Sequence, residues 1–190
     1  MCQNAVFDRE AAYRSRAMAK IVVADYDPAW THAFAAERER LRPAVGEAPV
    51  EHIGSTAVPG LPAKPIIDMV AGVEDPAACI GPLLEHGYER AEWGDFGERL
   101  FLRRRSADGS VTHHLSLTTV GSSYWDDHLA FRDALRASPE LCERYATLKR
   151  DQAAAHEDID AYTRAKTELV RDALLSVGHR PRSGWAAGDA

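Results

Sequence analysis

The sequence predicts an α+β fold: a small mixed β-sheet with flanking helices, followed by a C-terminal helical bundle. Three observations predict it. Short apolar, β-branched runs recur up to about residue 122, with two helical stretches between them. Ser106-Ala107-Asp108-Gly109-Ser110 joins two of those runs with a hairpin signal. From Ser123 onward the pattern turns helical and stays so.

Taken in order, residues 1–19 read as an N-terminal arm. Ile21–Ala24 is a short strand. Asp27-Pro28 sets a cap and a proline at the first helical position, so a helix runs from Pro28 to Leu41 and stops at Arg42-Pro43. Trp30, Phe34 and Leu41 share one face of it. Val50–Ile53 is a strand, Gly54–Lys64 a turn-rich loop and Pro65–Val73 a buried strand. A second helix follows Asp75-Pro76 and ends near His86-Gly87. Tyr88–Glu92, Arg99–Arg105 and Thr112–Thr119 are three further strands. Tyr124–Arg136, Pro139–His156 and Ile159–Val177 are helices. The expected organisation is therefore an arm at 1–19, an α+β core at 20–122, packed helices at 123–178 and a flexible tail at 179–190 rich in Gly, Pro and small residues.

Composition restricts function. The net charge is -6, with 45% hydrophobic and 27% charged residues. The dense basic run is Arg103-Arg104-Arg105, too little for a nucleic-acid surface, so no nucleic-acid partner is expected. Polar positions interrupt every apolar run, so no membrane span is expected. Cys2, Cys79 and Cys142 have neither disulfide-framework nor zinc-ribbon spacing, which fits a reducing cytoplasm.

The chemistry concentrates in His52–Val70, HIGSTAVPGLPAKPIIDMV. Gly54, Ser55 and Thr56 follow a strand, and a Gly-Ser turn cradles phosphate oxygens with backbone N–H groups and a hydroxyl. Lys64 supplies charge at the mouth of the next strand. Asp68 lies inside that apolar strand, sharing a face with Ile66 and Val70, and a carboxylate there must be paired, hydrogen-bonded or metal-bound.

The string VEHIGSTAVPGLPAKPIID closely resembles the GrpB family of the nucleotidyltransferase superfamily, whose catalytic fold is polymerase-β-like. The resemblance extends to YDPAW at Tyr26–Trp30, to HHLSL at His113–Leu117, to Tyr145, Leu148 and Lys149, and to Tyr162 and Lys166, covering about Ile21 to Leu175. It implies a nucleotidyltransferase-type sheet with helices on one side, and a nucleotide or other phosphorylated small molecule at the Gly-Ser turn. It also implies that Tyr145, Lys149, Tyr162 and Lys166 turn toward the cleft. Arg103 and Arg105, alternating on one strand face, are further phosphate candidates.

The sequence departs from the superfamily where metal is held. Members place two acids one residue apart after Gly-Ser and a third on a later strand, because clustered carboxylates hold the magnesium that bridges a triphosphate. Asp68 matches the first acid, but Val70 stands at the second position and the later strand offers His113, His114 and Ser116. A divalent cofactor is expected on Asp68, magnesium or manganese, or a transition metal if His52 and His114 join it. Three functions remain open: a nucleotidyl or related transferase, a non-catalytic nucleotide-binding module, and a hydrolase or group-transfer enzyme working through His52, Asp68 and His114.

Overall fold

A computed structural model describes residues 23–95, 97–154 and 159–182; of residues 152–154 and 159–165 the helical backbone alone is described. The arm at 1–19 and the tail beyond residue 182 lie outside the described residues.

Asp27 Oδ1 accepts the backbone N–H of Ala29 at 2.8 Å, and helix α1 runs Ala29–Val45. It passes Pro43, where the sequence predicts a stop, and ends at Gly46, whose φ of 63° and N–H bond to the Arg42 carbonyl at 2.8 Å close the last turn. Strand β1 (Val50–Ile53) leads through a 3-10 turn at Ser55–Ala57 to β2 (Ile67–Gly72). Helix α2 (Ile80–Glu85) is shorter than expected because residues 76–79 form a turn, in which Asp75 Oδ1 accepts two backbone N–H groups. Strands β3 (Tyr88–Arg90), β4 (Leu100–Arg105) and β5 (Val111–Thr118) follow. Ala24 contributes a single antiparallel bridge to Ala63, not the strand expected there.

The five strands form one mixed sheet in the order β1-β2-β5-β4-β3. Pairing is parallel between β2 and β5 and antiparallel elsewhere. Its faces are chemically different. Met69, Ala71, Leu102, Leu115 and Leu117 join Trp30 and Leu41 of α1 and Leu83 of α2 in the main core. On the opposite face Ile53 and Val70 pack on Trp125. Helices thus cover both faces, in place of the one-sided arrangement that the resemblance implies.

The covering on the second face comes from α3 (Ser123–Ala137), α4 (Pro139–Ala154) and α5 (Ile159–Ser176). Ser122 caps α3 by accepting the Trp125 N–H at 3.2 Å. Phe131 and Leu135, Leu141 and Tyr145, and Val170 and Leu174 bring the three helices together around Val58 and Leu61 of the loop after β1. The chain end continues past α5: His179 Nε2 lies 2.6 Å from Asp127 Oδ1 and the Arg182 N–H donates to Asp127 Oδ2 at 2.9 Å. Residues 179–182 are therefore anchored on α3, and the expected tail starts beyond them.

Candidate functional site

Everything in the site depends on the loop between β1 and β2. Val58 and Leu61 sit in the helical core. Arg136 donates to the Ala57 carbonyl through Nε at 3.0 Å and Nη2 at 2.7 Å, and Lys149 Nζ donates to the Pro62 carbonyl. These contacts fix the Gly-Ser turn between sheet and helices. Gly54 has φ 70° and ψ -169°, a conformation open to glycine, and a Cβ there would lie 2.5 Å from Asp68 Oδ2. The turn and the carboxylate are thus packed together by the lack of a side chain.

Asp68 faces Ile53 across β1 and His114 across β5. Its Oδ1 lies 2.9 Å from His114 Nδ1, so the acid in the apolar strand is paired, and its side chain retains 37% exposure toward the cleft. Above the turn stand Tyr145 and Lys149 of α4. The Tyr145 hydroxyl faces the Ser55 side chain, and burial pushes its pKa up to about 12. Lys149 lies with its ammonium 5.1 Å from the Tyr145 ring centre. Burial, and then the neighbouring Lys166, bring its pKa down to about 8, while Asp68 acts weakly in the opposite sense. Ser55, Asp68, His114, Tyr145, Lys149 and Lys166 therefore border one cleft.

Several expected site residues lie elsewhere. His52 pairs with Met69 across β1 and β2, so strand alternation turns it to the α1 face. There its Nε2 lies 3.0 Å from Thr56 Oγ1 and its ring stacks on Phe34 at 4.7 Å. Burial, the dominant cause, lowers its pKa to about 4. Thr56 is itself buried and donates to the Ile66 carbonyl at 3.2 Å, so its hydroxyl serves the interior. Arg103 shares the Asp68 face but donates to Glu89 at 2.6 Å, as does Arg105. Lys64 is exposed on the loop. The side chain of Tyr162 lies outside the described residues.

The donor set does not fit the metal expected here. Val70 is fully buried against Trp125, which seals the second acid position with apolar surface. Ser116 faces Val70 on β5. Among the described residues no three His, Cys, Asp or Glu side chains gather as a cation site. One carboxylate already held by an imidazole is a poor octahedral oxygen cage for magnesium, and His52 is on the wrong face to complete a histidine site.

Sequence reasoning missed a second group on the same face. Arg99, just before β4, donates from Nε to Ser116 Oγ at 3.0 Å and lies over the rings of Phe101 (4.3 Å) and Tyr124 (4.8 Å). The Tyr124 hydroxyl is 3.0 Å from Ser116 Oγ, and its ring stacks on His128 at 3.8 Å. Burial lowers the His128 pKa to about 3, so that ring is neutral. The signals were present: Arg99 and Phe101 alternate onto one strand face, and Tyr124 and His128 are one helical turn apart.

A separate cleft of about 720 Å³ opens along the β1 edge, bordered by Phe34, His52, Glu51, Arg132 and Arg136. Its arginines are engaged, Arg132 by Glu51 at 2.7 Å and the His52 carbonyl at 3.0 Å, and Arg136 by the Ala57 carbonyl. It lies on the outer side of the Gly-Ser loop, away from Asp68 and His114.

Fold and site together define a small α+β protein in which a Gly-Ser turn and a cation-lined cleft meet over a mixed sheet. The family model described as GrpB protein matches residues 20–175, and the chain belongs to the GrpB family. It is 38% identical to the UPF0157 protein PA4798 of Pseudomonas aeruginosa, over 90% of this chain and 75% of that protein. It is 35% identical to the UPF0157 protein YqkA of Bacillus subtilis, matching 81% of this chain but spanning 46% of that longer protein. The crystal structure of the conserved protein GrpB from Enterococcus faecalis superposes with a TM-score of 0.71 at 34% identity, covering 83% of this chain and all of that one.

Proposed function

We propose that the protein binds a nucleotide or another phosphorylated small molecule, with its phosphate between Ser55, Lys149 and Lys166, and that transfer of a nucleotidyl or related group is the chemistry the cleft serves. One observation carries the reading: a glycine-dependent turn, a serine hydroxyl and two lysines border one cleft although they come from the β1–β2 loop and two different helices. Two ammonium groups close enough to depress a pKa repel each other, and an anion between them relieves that repulsion. Tyr145 offers a ring at the turn.

The contact between Asp68 and His114 favours a second reading of the chemistry once ligand is bound. A carboxylate on Nδ1 fixes the tautomer and leaves Nε2 to exchange a proton, the arrangement of a general acid–base pair. On this reading His114 takes the proton of an attacking hydroxyl or water, Asp68 orients it, and His52 has no part.

Isothermal titration with ATP, GTP, CTP and UTP tests the proposal. Binding of at least one, weakened about tenfold or more by Lys149→Met and by Lys166→Met, is the expected result. No heat from any of the four, or wild-type affinity in both variants, contradicts it.

A further inference from the structure

We infer that Arg99 is the resident cation of this site, a guanidinium standing where related folds hold a metal ion, and that anion binding here is independent of divalent metal. The inference rests on the phosphate-binding reading.

Position comes first. Two acids on β2 and one on β5 would bracket a metal, and here those places fall to Asp68, Val70 and the neighbours on β5, His114 and Ser116. Val70 faces Ser116 directly, and Ser116 Oγ receives the Nε–H of Arg99 at 3.0 Å. His114 and Ser116 lie on one face two residues apart, a rise of roughly 6.6 Å. A positive charge therefore sits one strand step from the Asp68–His114 pair, above the place where a second carboxylate is missing.

The way Arg99 is held argues for a ligand-binding role. Phe101 and Tyr124 support the guanidinium through their faces, and one hydroxyl fixes Nε. Phe101 is itself fixed: Trp93 meets it edge-on at 5.3 Å, His114 lies 5.0 Å away, and a Cβ at Gly94 would fall 2.3 Å from its ring. The terminal nitrogens of Arg99 have no hydrogen-bond or ion-pair partner among the described residues, unlike Arg103, Arg105, Arg132 and Arg136. A structural arginine spends its fork on protein acceptors. This one has its stem and Nε fixed and its fork open, the state suited to a bidentate oxyanion.

With Lys149 and Lys166 on the helices and Arg99 on the sheet, charge meets the ligand from two sides. The class of ligand that fits is a polyanion such as a nucleoside triphosphate or pyrophosphate, carrying phosphoryl groups to both. Free polyanion suits three fixed cations better than its magnesium complex, whose charge is partly cancelled already.

The experiment titrates ATP and pyrophosphate into wild type, Arg99→Gln and Arg99→Lys, each in EDTA and in excess magnesium, with circular dichroism confirming the fold of each variant. Equal or tighter wild-type affinity in EDTA, a loss of about tenfold or more in Arg99→Gln and an intermediate loss in Arg99→Lys are expected. Binding that requires magnesium overturns the inference, whatever the variants do, and leaves the phosphate reading standing. So does unchanged affinity in folded Arg99→Gln. Absence of binding by wild type in both buffers overturns the phosphate reading and this inference with it.

Discussion

Asp68 and His114 occupy partner positions on the parallel strands β2 and β5, and their side chains meet at 2.9 Å between Oδ1 and Nδ1. The pairing takes up the carboxylate that a metal would need. In a metal-dependent site Asp68→Asn abolishes ligand binding along with turnover. In this site it removes a negative charge from a cleft built for anions. Asp68→Asn is therefore expected to leave ATP affinity unchanged, or to tighten it by about two- to tenfold at low salt. Titration calorimetry checks this, and lost binding contradicts it.

Lys149 gives the site a pH signature. Its pKa is lowered to about 8 by burial and by Lys166, so the ammonium is lost as pH rises through that value. Affinity for a phosphorylated ligand falls between about pH 7.5 and 9, and Lys149→Met flattens that part of the profile. A wild-type profile flat across the same range contradicts the assignment.

Acid stability depends on two buried neutral imidazoles. Burial is the main cause for both His52 and His113, and each is lowered to about 4. Asp68 opposes it at His52 and Glu37 at His113, while Arg132 and Arg136, and Arg104 and Arg40, reinforce it. A depressed histidine pKa means that the unfolded chain binds the proton first. Stability is thus complete above about pH 6.5 and declines as pH falls toward about 4, by on the order of 2–3 kcal/mol for each ring. Urea unfolding at pH 7.5, 6 and 5 measures the decline, and His52→Gln reduces its slope. Stability independent of pH over that interval excludes the account.

Gly54→Ala tests the contact between turn and carboxylate. The added methyl must adopt a φ of about 70° and would lie 2.5 Å from Asp68 Oδ2. A cost of about 2–4 kcal/mol is expected, lowering Tm by roughly 5–15 °C. Gly60→Ala, at φ 81° with nothing within 4 Å, is the control that carries backbone strain alone. Equal losses in the two variants contradict the packing argument.

Much of the fold is legible in the sequence because it depends on periodicity. Val50–Ile53 has the bounds that its residues predict, and the C-terminal helices differ by a residue or two at their ends. Pro43 inside α1 escapes such reasoning, since tertiary packing of Leu41 and Val45 carries the helix one turn further. The site is legible only in its local part. Gly54, Ser55 and Asp68 stand close in sequence, and alternation places Asp68 correctly. His52 is misplaced by the same reasoning when strands are grouped without their faces: one residue of offset puts it against Phe34. Arg99 and Tyr124 are illegible for another reason. Each lies at the edge of its element without a motif, and only the return of β4 beside β5 and the docking of α3 bring both to Ser116.

The central claim, that a phosphate is held at the Gly-Ser turn by cations from the helices, is tested most directly by a crystal structure of the protein with ATP or pyrophosphate in EDTA. Density for a phosphoryl group within hydrogen-bond distance of Ser55 and of Lys149 or Lys166 is the predicted result. Ligand density confined to the cleft beside Phe34 and Arg132, or none at the turn at saturating concentration, would contradict it.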